Sequence, residues 1–485
     1  MIDGTVVNVA LPVLQASLNA TAAEVQWIVE SYALFLAALI LVGGSLGDRF
    51  GRRLIFACGV ALFAAASIWC GLAPNVSWLI FARAVQGIGA ALLVPGSLAI
   101  ISASFNEQQR GQAIGTWSGF TGITSALGPV LGGWLVENAS WRWIFFLNVP
   151  LAAIVLGILF WRVPESRDEF ATKLDWWGAV LVTVGLGTLV YGLIESSHLG
   201  WNHPWVSSSL VLSVIALLAF VFVEANSQAP MMPLGLFRSR TFSGANLLTL
   251  LLYSALSVVF FFFPFNLIQV QGYSATAAGA AFLPFILIMF FLSRWAGGLV
   301  SRYGSRLPLT IGPIIAAIGF ALFAIPGIGG NYWMTFFPAV VVLGFGMAIT
   351  VAPLTTTVMD AVKARQAGVA SGINNAVART AGLLSIAMLS IVILRAFNFS
   401  LDRRLAVLKL PPALQQALES QRIKLAGAEV PPGVSQELAA TIKRAIAESF
   451  VDGFRLIILI AVILALLSAL IAAVMLKRQP STGRS

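Results

Sequence analysis

Thirteen stretches of about twenty mostly apolar residues run through this chain, more than any soluble core can bury. They lie near 26–46, 54–72, 78–101, 112–136, 142–161, 174–195, 205–225, 242–268, 275–298, 307–328, 333–357, 368–396 and 453–476, after a shorter apolar stretch at 1–18. A bilayer's hydrocarbon core, about 30 Å thick, is crossed by about 20 residues of helix. Within it each backbone group needs a partner in the chain itself, and a continuous apolar run supplies that only as a helix. The expected fold class is an all-α membrane protein with 14 transmembrane helices.

The charges fit that layout. Only 10% of residues are charged, against about 25% in an average soluble domain. A net charge of +10 would raise nucleic acid as a partner in a soluble chain, but here the basic residues sit singly between apolar runs. Arg49, Arg52, Arg53, Arg110, Arg162, Arg167, Lys173, Arg238, Arg240, Arg302, Arg306, Lys363, Arg365, Lys477, Arg478 and Arg484 fall in alternate loops and at the C-terminus. Arg142 is the exception among the short loops opposite. The positive-inside bias then places both termini in the cytoplasm and requires an even number of spans. Counting 1–18 as a span starts Asp3 near mid-bilayer, so the first helix reads as truncated, with the natural start expected upstream.

Residues 397–452 form the one long loop, on the non-cytoplasmic side, and are rich in basic residues that a long loop tolerates. Within it Ser435 can cap a helix whose Leu438, Ile442, Ile446 and Phe450 make one apolar face, suited to lie on the membrane or on the bundle. Glu195 and Glu224, at helix ends, read as interfacial anchors.

Several chemistries are excluded. Cys58 and Cys70 share one apolar helix about 18 Å apart, too far to bridge. His198 and His203 share a polar loop, and no HExxH, CxxC or GxxxxGK[ST] pattern occurs, so no metal, cofactor or nucleotide site is expected.

The chain also repeats itself. GGSLGDRFGRR at 43–53 is answered by AGGLVSRYGSR at 296–306, with Ser301 in place of Asp48. Gly87-Ile88-Gly89 is answered by Gly344-Phe345-Gly346, and Gly111 and Gly115 by Gly368 and Gly372. Matches in the same order at nearly constant spacing imply two six-helix halves, 1–161 and 242–485, with a linker at 162–241 that carries two inserted helices.

Motifs sharpen the reading. IDGTVVNVALP at 2–12 puts Asp3 in the first helix, and GSLGDRFGRR at 44–53 joins the next two full helices. RAVQGIGAALLVPG at 83–96 puts Arg83 inside a span, LGPVLGGWL follows at 127–135, and WRWIFFLNVP at 141–150. With these motifs the sequence resembles the major facilitator superfamily, specifically its fourteen-helix drug:proton antiporter branch of EmrB/QacA type, over essentially the whole chain. The resemblance implies a major facilitator fold in a bacterial-type inner membrane, exporting amphipathic small molecules in exchange for protons. It implies no cofactor beyond the proton gradient, no nucleic acid, and a monomer in the lipid bilayer. Export of one metabolite or siderophore is the alternative, and a non-transporting receptor or scaffold a second one.

Within that frame a lone charge at a helix centre costs about 2.5–3.5 kcal/mol even on the mildest scale, so Arg83 needs a partner, for which Asp3, Glu30 and Gln86 are candidates. Asp3 is favoured as the proton-coupling acid over Glu30. In the loop motif Gly44 and Gly51 permit a tight turn, and Asp48 can accept hydrogen bonds at a helix N-terminus. Arg49, Arg52 and Arg53 either serve that lock or merely fix topology. Gly128, Pro129, Gly132 and Gly133 suit a helix that bends and packs closely. Gln86, Asn374, Asn375 and Arg379 are candidate substrate contacts, the two asparagines serving either that role or holding Arg379. The Phe260–Phe263 run with Phe265 fits either a cavity for flat apolar compounds or, for most of its rings, lipid-facing packing.

Overall fold

A computed structural model describes residues 2–104, 124, 127–167, 175–227, 230–362, 366–408, 410–431 and 433–476. Among these residues all regular structure is helical. The main helices are α1 (Ile2–Leu18), α2 (Ala22–Phe50), α3 (Arg52–Leu72), α4 (Val76–Ser104) and α5 (127–138), followed by α6 (Trp143–Arg162), α7 (Trp176–Leu199) and α8 (Pro204–Asn226). Then come α9 (Arg240–Phe265), α10 (Ala275–Ser293), α11 (Arg306–Phe323), α12 (Phe337–Asp360), α13 (Ala367–Leu408) and α14 (Gln436–Met475).

Twelve described helices, α2 to α4 and α6 to α14, are long and apolar enough to cross a membrane. The shorter α1 is apolar, and the run expected at 112–136 lies mostly outside the described residues, as do Arg110, Gly111, Gly115, Lys173, Lys363, Arg365, Lys477, Arg478 and Arg484. The outer surface supports the membrane reading: on α8 Val211, Leu212, Val214, Ile215, Leu218 and Phe222 are all exposed, an apolar face that water would not tolerate. The chain is a multi-pass membrane protein.

The internal repeat has a physical basis in close helix crossings. A Cβ on Gly89 of α4 would lie 2.7 Å from the Phe63 nitrogen of α3, and one on Gly87 would lie 2.5 Å from the Tyr32 carbonyl oxygen of α2. The matching glycines of α12 do the same, Gly346 at 2.4 Å from the Ala316 nitrogen of α11 and Gly344 at 3.3 Å from Ile288 of α10. The turns after α2 and before α11 also match, with Gly51 at φ 121° and Gly304 at φ 72°, where an L side chain is strained. The motif thus recurs because two equivalent three-helix units need the same contacts.

The helices α7 and α8 pair with each other, and α7 packs where α2 meets α13, through Leu34, Leu186, Val190, Ile194, Leu383 and Ala387. Glu195 accepts a hydrogen bond from Trp27 Nε1 at 3.2 Å, which ties this pair to α2.

Two expectations change. Much of 397–452, read as a loop, is helix: α13 continues to Leu408 and α14 begins at Gln436, capped by Ser435 as expected. Charges made the segment look unlike a span, yet they are matched to one another, Arg404 pairing with Glu448 and with Asp452 at 2.8 Å. The face of Ile442, Ile446 and Phe450 is buried on the bundle and runs on into the last span without a break. The phenylalanine run is not lipid-facing either: Phe261, Phe262, Phe263 and Phe265 are buried in the protein core.

In an open helix, Gly→Ala gains roughly 0.5–1 kcal/mol. A Cβ at Gly43 would sit 2.0 Å from the Ala91 carbonyl oxygen, whereas one at Gly157 meets nothing within 4 Å. Gly43→Ala is therefore expected to destabilise by roughly 1–3 kcal/mol, as overpacking does, and Gly157→Ala to be neutral or stabilising. Thermal unfolding of the two purified variants in detergent checks this; equal melting temperatures would refute the α2–α4 contact.

Candidate functional site: a buried ion pair beside a central cavity

Pro12 lies within α1, and the tight turn after it is set by the capping box of Thr21 and Glu24, which starts α2. This turn lays α1 against α2, and α4 runs beside α2 through the glycine contacts above. Asp3 of α1 and Arg83 of α4 are thereby brought together.

Arg83 is 1% exposed and donates from Nη1 to Asp3 Oδ2 at 2.6 Å. Its Nε donates to the Ile28 carbonyl of α2 at 3.1 Å, and its guanidinium lies 4.2 Å from the Tyr32 ring centroid. Asp3 Oδ1 accepts from Gln86 Nε2 at 3.1 Å and from Asn148 Nδ2 of α6 at 3.0 Å. Ser67 of α3 accepts from the same two amides, at 2.7 and 3.2 Å. A buried charge is tolerable when paired and hydrogen-bonded, and here both partners are. Asn148 and Ser67 were missed in the sequence; the only available signal was a polar residue, Asn148, inside the WRWIFFLNVP motif.

Glu30 is placed otherwise. It is 0% exposed, and neither carboxylate oxygen has a hydrogen-bond partner among the described residues. It lines a cavity of about 310 Å³ between α2, α9 and α13, together with Tyr32, Tyr253, Phe260, Asn375 and Arg379. Arg83 borders this cavity. Of the candidate substrate contacts, Asn375 and Arg379 thus face the cavity, while Gln86 is held in the Asp3 network. Asn374 turns to α9, donating to Asn246 Oδ1 at 3.1 Å and Thr249 Oγ1 at 2.7 Å.

The loop motif departs in one respect from what its acid suggests. Asp48 pairs with Arg52 at 2.8 Å, one turn on. The helix N-terminus beside it is capped instead by Glu165, which accepts from the backbone N–H groups of Arg53 at 3.0 Å and Leu54 at 3.1 Å. Arg53 donates to the Val163 carbonyl at 3.0 Å, and Gly51 leaves room for the Glu165 carboxylate, 2.7 Å from where a Cβ would be. Among the described residues Arg49 makes only a contact with its neighbour Phe50, 5.4 Å from guanidinium to ring centroid.

At the end that carries the α1–α2 connection, α5 and α10 touch. A Cβ on Gly133 would lie 2.3 Å from the Ala275 oxygen, and one on Gly279 2.0 Å from the Pro129 oxygen. Gly132 packs on Val6 of α1, and Gly128 is buried. Glu137 then accepts from Thr276 N and Oγ1, at 3.2 and 2.5 Å, at the start of α10. Those hydrogen bonds hold its carboxyl below the usual carboxylate range.

The model of the Major Facilitator Superfamily matches residues 1–386. The chain belongs to that superfamily. Its relatives include the multidrug resistance protein Stp of Mycobacterium tuberculosis (strain CDC 1551 / Oshkosh), 35% identical over 83% of this chain and 75% of Stp. The tetracenomycin C resistance and export protein of Streptomyces glaucescens is 33% identical over 99% of this chain and 89% of the relative. A crystal structure of a bacterial homologue of the human lysosomal transporter Spinster superposes with a TM-score of 0.65 at 20% identity, covering 99% and 96% of the two chains, and shows the same fold.

Removing one partner of a buried pair costs roughly 3–5 kcal/mol, because the other charge is stranded. Arg83→Gln and Asp3→Asn are each expected to lose about that much, and the double variant markedly less than their sum. Thermal unfolding of all four proteins supplies the cycle; additive losses would show that the pair does not act as one.

Proposed function

We propose that this member of the major facilitator superfamily is a multidrug exporter that drives amphipathic small molecules out of the cell in exchange for protons, by alternating access. It has 14 transmembrane helices in a bacterial-type inner membrane, both termini cytoplasmic, and works as a monomer. Residues 1–161 and 242–485 form the two rocking halves, and 162–241 a linker with two inserted helices. Relatives named for multidrug and antibiotic resistance support export.

The observation that carries the reading is Glu30, a buried carboxylate without a partner among the described residues, in a cavity also lined by Tyr253 and Phe260. An unpaired carboxylate in such a place is stabilised by either a proton or a cation, and the two compete. Cationic amphipathic compounds fit it doubly, since the rings add cation–π contact. Asp3 and Arg83 hold the coupling region in register, and Arg379 and Asn375 contact the substrate, with Gln86 and Asn374 behind them. The residues Gly44 to Arg53 act as a gate, Asp48 exchanging Arg52 for another partner. Gly128, Pro129, Gly132 and Gly133 seal α5 against α10 on the outer side.

In proteoliposomes with an imposed pH gradient, a cationic dye should move against its gradient, and an uncoupler should stop it. Glu30→Gln is expected to lower gradient-driven transport at least tenfold while dye-for-dye exchange persists. Unchanged driven transport in Glu30→Gln would remove this acid from coupling, and dye movement indifferent to the uncoupler would remove proton antiport.

A second reading, export of a single natural product, is favoured by the tetracenomycin relative, which aligns along nearly the whole chain. A panel of unrelated cationic dyes separates the two: a multidrug exporter moves several, a dedicated one none.

A further inference from the structure

At the end of the bundle opposite the 44–53 turn, α13 and the start of α14 carry a dense set of charges. Most of them cancel. Arg404 pairs with Glu448 and Asp452, Arg444 with Glu448, and Arg422 with Asp402. Arg455 lies 4.0 Å from Asp452 and donates to the carbonyls of Ala324, Ile325 and Pro326.

Two arginines are left over. Arg395 and Arg403 of α13 are exposed, and neither has an acidic partner among the described residues. They are eight residues apart, so both stand on one helix face, about 12 Å from each other along the axis. Phe399 lies between them, 67% exposed, with its ring centroid 5.8 Å from the Arg403 guanidinium.

The same two arginines line an open groove of about 820 Å³ between α13 and α14, whose floor includes Val392 and Leu456. Toward the membrane the groove is continued by exposed apolar side chains, Met388 on α13 and Leu459 and Ile463 on α14. The polar end of the groove thus carries two uncompensated positive charges, and the other end is apolar. That sequence of chemistry, cationic then apolar along a membrane normal, is the complement of one molecule class.

We propose that this groove binds an anionic phospholipid, its phosphate held between Arg395 and Arg403 and an acyl chain laid along Val392, Leu456 and Leu459. A basic residue near the interface contributes about 1 kcal/mol toward an anionic lipid, and guanidinium suits phosphate through its paired donors. Phe399 stands at the headgroup level between the two arginines, an interfacial position where aromatic rings are favoured. The site lies on the lipid-facing side of α13 and does not depend on what the central cavity transports.

The test is native mass spectrometry of the full chain released from nanodiscs holding equal amounts of phosphatidylglycerol and phosphatidylcholine. The protein should retain phosphatidylglycerol, and Arg395→Gln/Arg403→Gln should weaken that retention roughly thirtyfold, the effect of two such charges. The paired lysine variant Arg395→Lys/Arg403→Lys should keep most of it, and Lys443→Gln, an exposed charge at the same end but outside the groove, should keep all of it. Equal retention by the double glutamine variant would overturn the site. So would an equal loss in Lys443→Gln, which would mean diffuse surface charge, or equal uptake of phosphatidylcholine, which would mean an acyl groove without headgroup recognition. Dye transport measured in parallel on the same variants reads the central cavity separately.

Discussion

A guanidinium buried at 1% exposure inside an apolar bundle dictates much of what surrounds it. Arg83 cannot shed its proton, so the protein must supply acceptors where it sits. It does so with three helices: the carboxylate of Asp3 on α1, the Ile28 carbonyl on α2, and Gln86 one turn along α4. Asn148 on α6 and Ser67 on α3 complete the set by satisfying the oxygens and amides that remain. Each of these groups is costly alone in hydrocarbon and inexpensive together, so the network specifies how five helices sit against one another more sharply than apolar packing could.

Packing in the rest of the bundle works by removing atoms. Where α4 crosses α2 and α3, and where α12 crosses α11, a glycine stands at the contact and backbone rests on backbone, and where α12 meets α10 Gly344 packs on Ile288. Contacts of this kind hold by complementary shape over rigid surfaces. The α5–α10 contact is of the same type, Gly133 on Ala275 and Gly279 on Pro129, but it joins helices far apart in the sequence and adds the hydrogen bonds of Glu137. A glycine seam with a few polar clasps can separate without exposing a buried charge, as the proposed alternation requires.

The fold was legible because hydrocarbon thickness and hydrogen-bond closure leave a run of twenty apolar residues little choice but a helix. The pairing of Arg83 with Asp3 was legible for a related reason: a charge in a span announces that it has a partner, and few candidates exist. What the sequence concealed depended on the third dimension. Nothing in the spacing of Glu165 shows that it caps α3 across more than a hundred residues, because its role rests on backbone N–H groups that every residue has. The helical character of much of 397–452 was hidden by charges that look incompatible with a buried helix until Arg404, Glu448 and Asp452 are seen to satisfy one another. Asn374 and Asn375 are adjacent in sequence, but on a helix successive residues point about 100° apart, so one clamps α9 and the other faces the cavity.

Asp3 and Glu30, both buried acids, differ in what a rocking motion would do to them. The side-chain partners of Asp3, namely Arg83, Gln86 and Asn148, stand on α4 and α6, within the same proposed six-helix half as Asp3 itself. If that group moves as a body, those hydrogen bonds move with it, and the environment of Asp3 is the same at both ends of the stroke. Glu30 also stands in this group, on α2, but its cavity is closed on the far side by Tyr253 of α9 and by Asn375 and Arg379 of α13. Its surroundings are therefore rebuilt whenever α9 and α13 shift against α2. A group that exchanges a proton for a solute must differ in free energy between the two states of the transporter, since a ligand with no such difference moves no equilibrium. On the proposed mechanism the saturated pair suits a fastener, and Glu30, a carboxylate with no partner among the described residues, suits a coupling site.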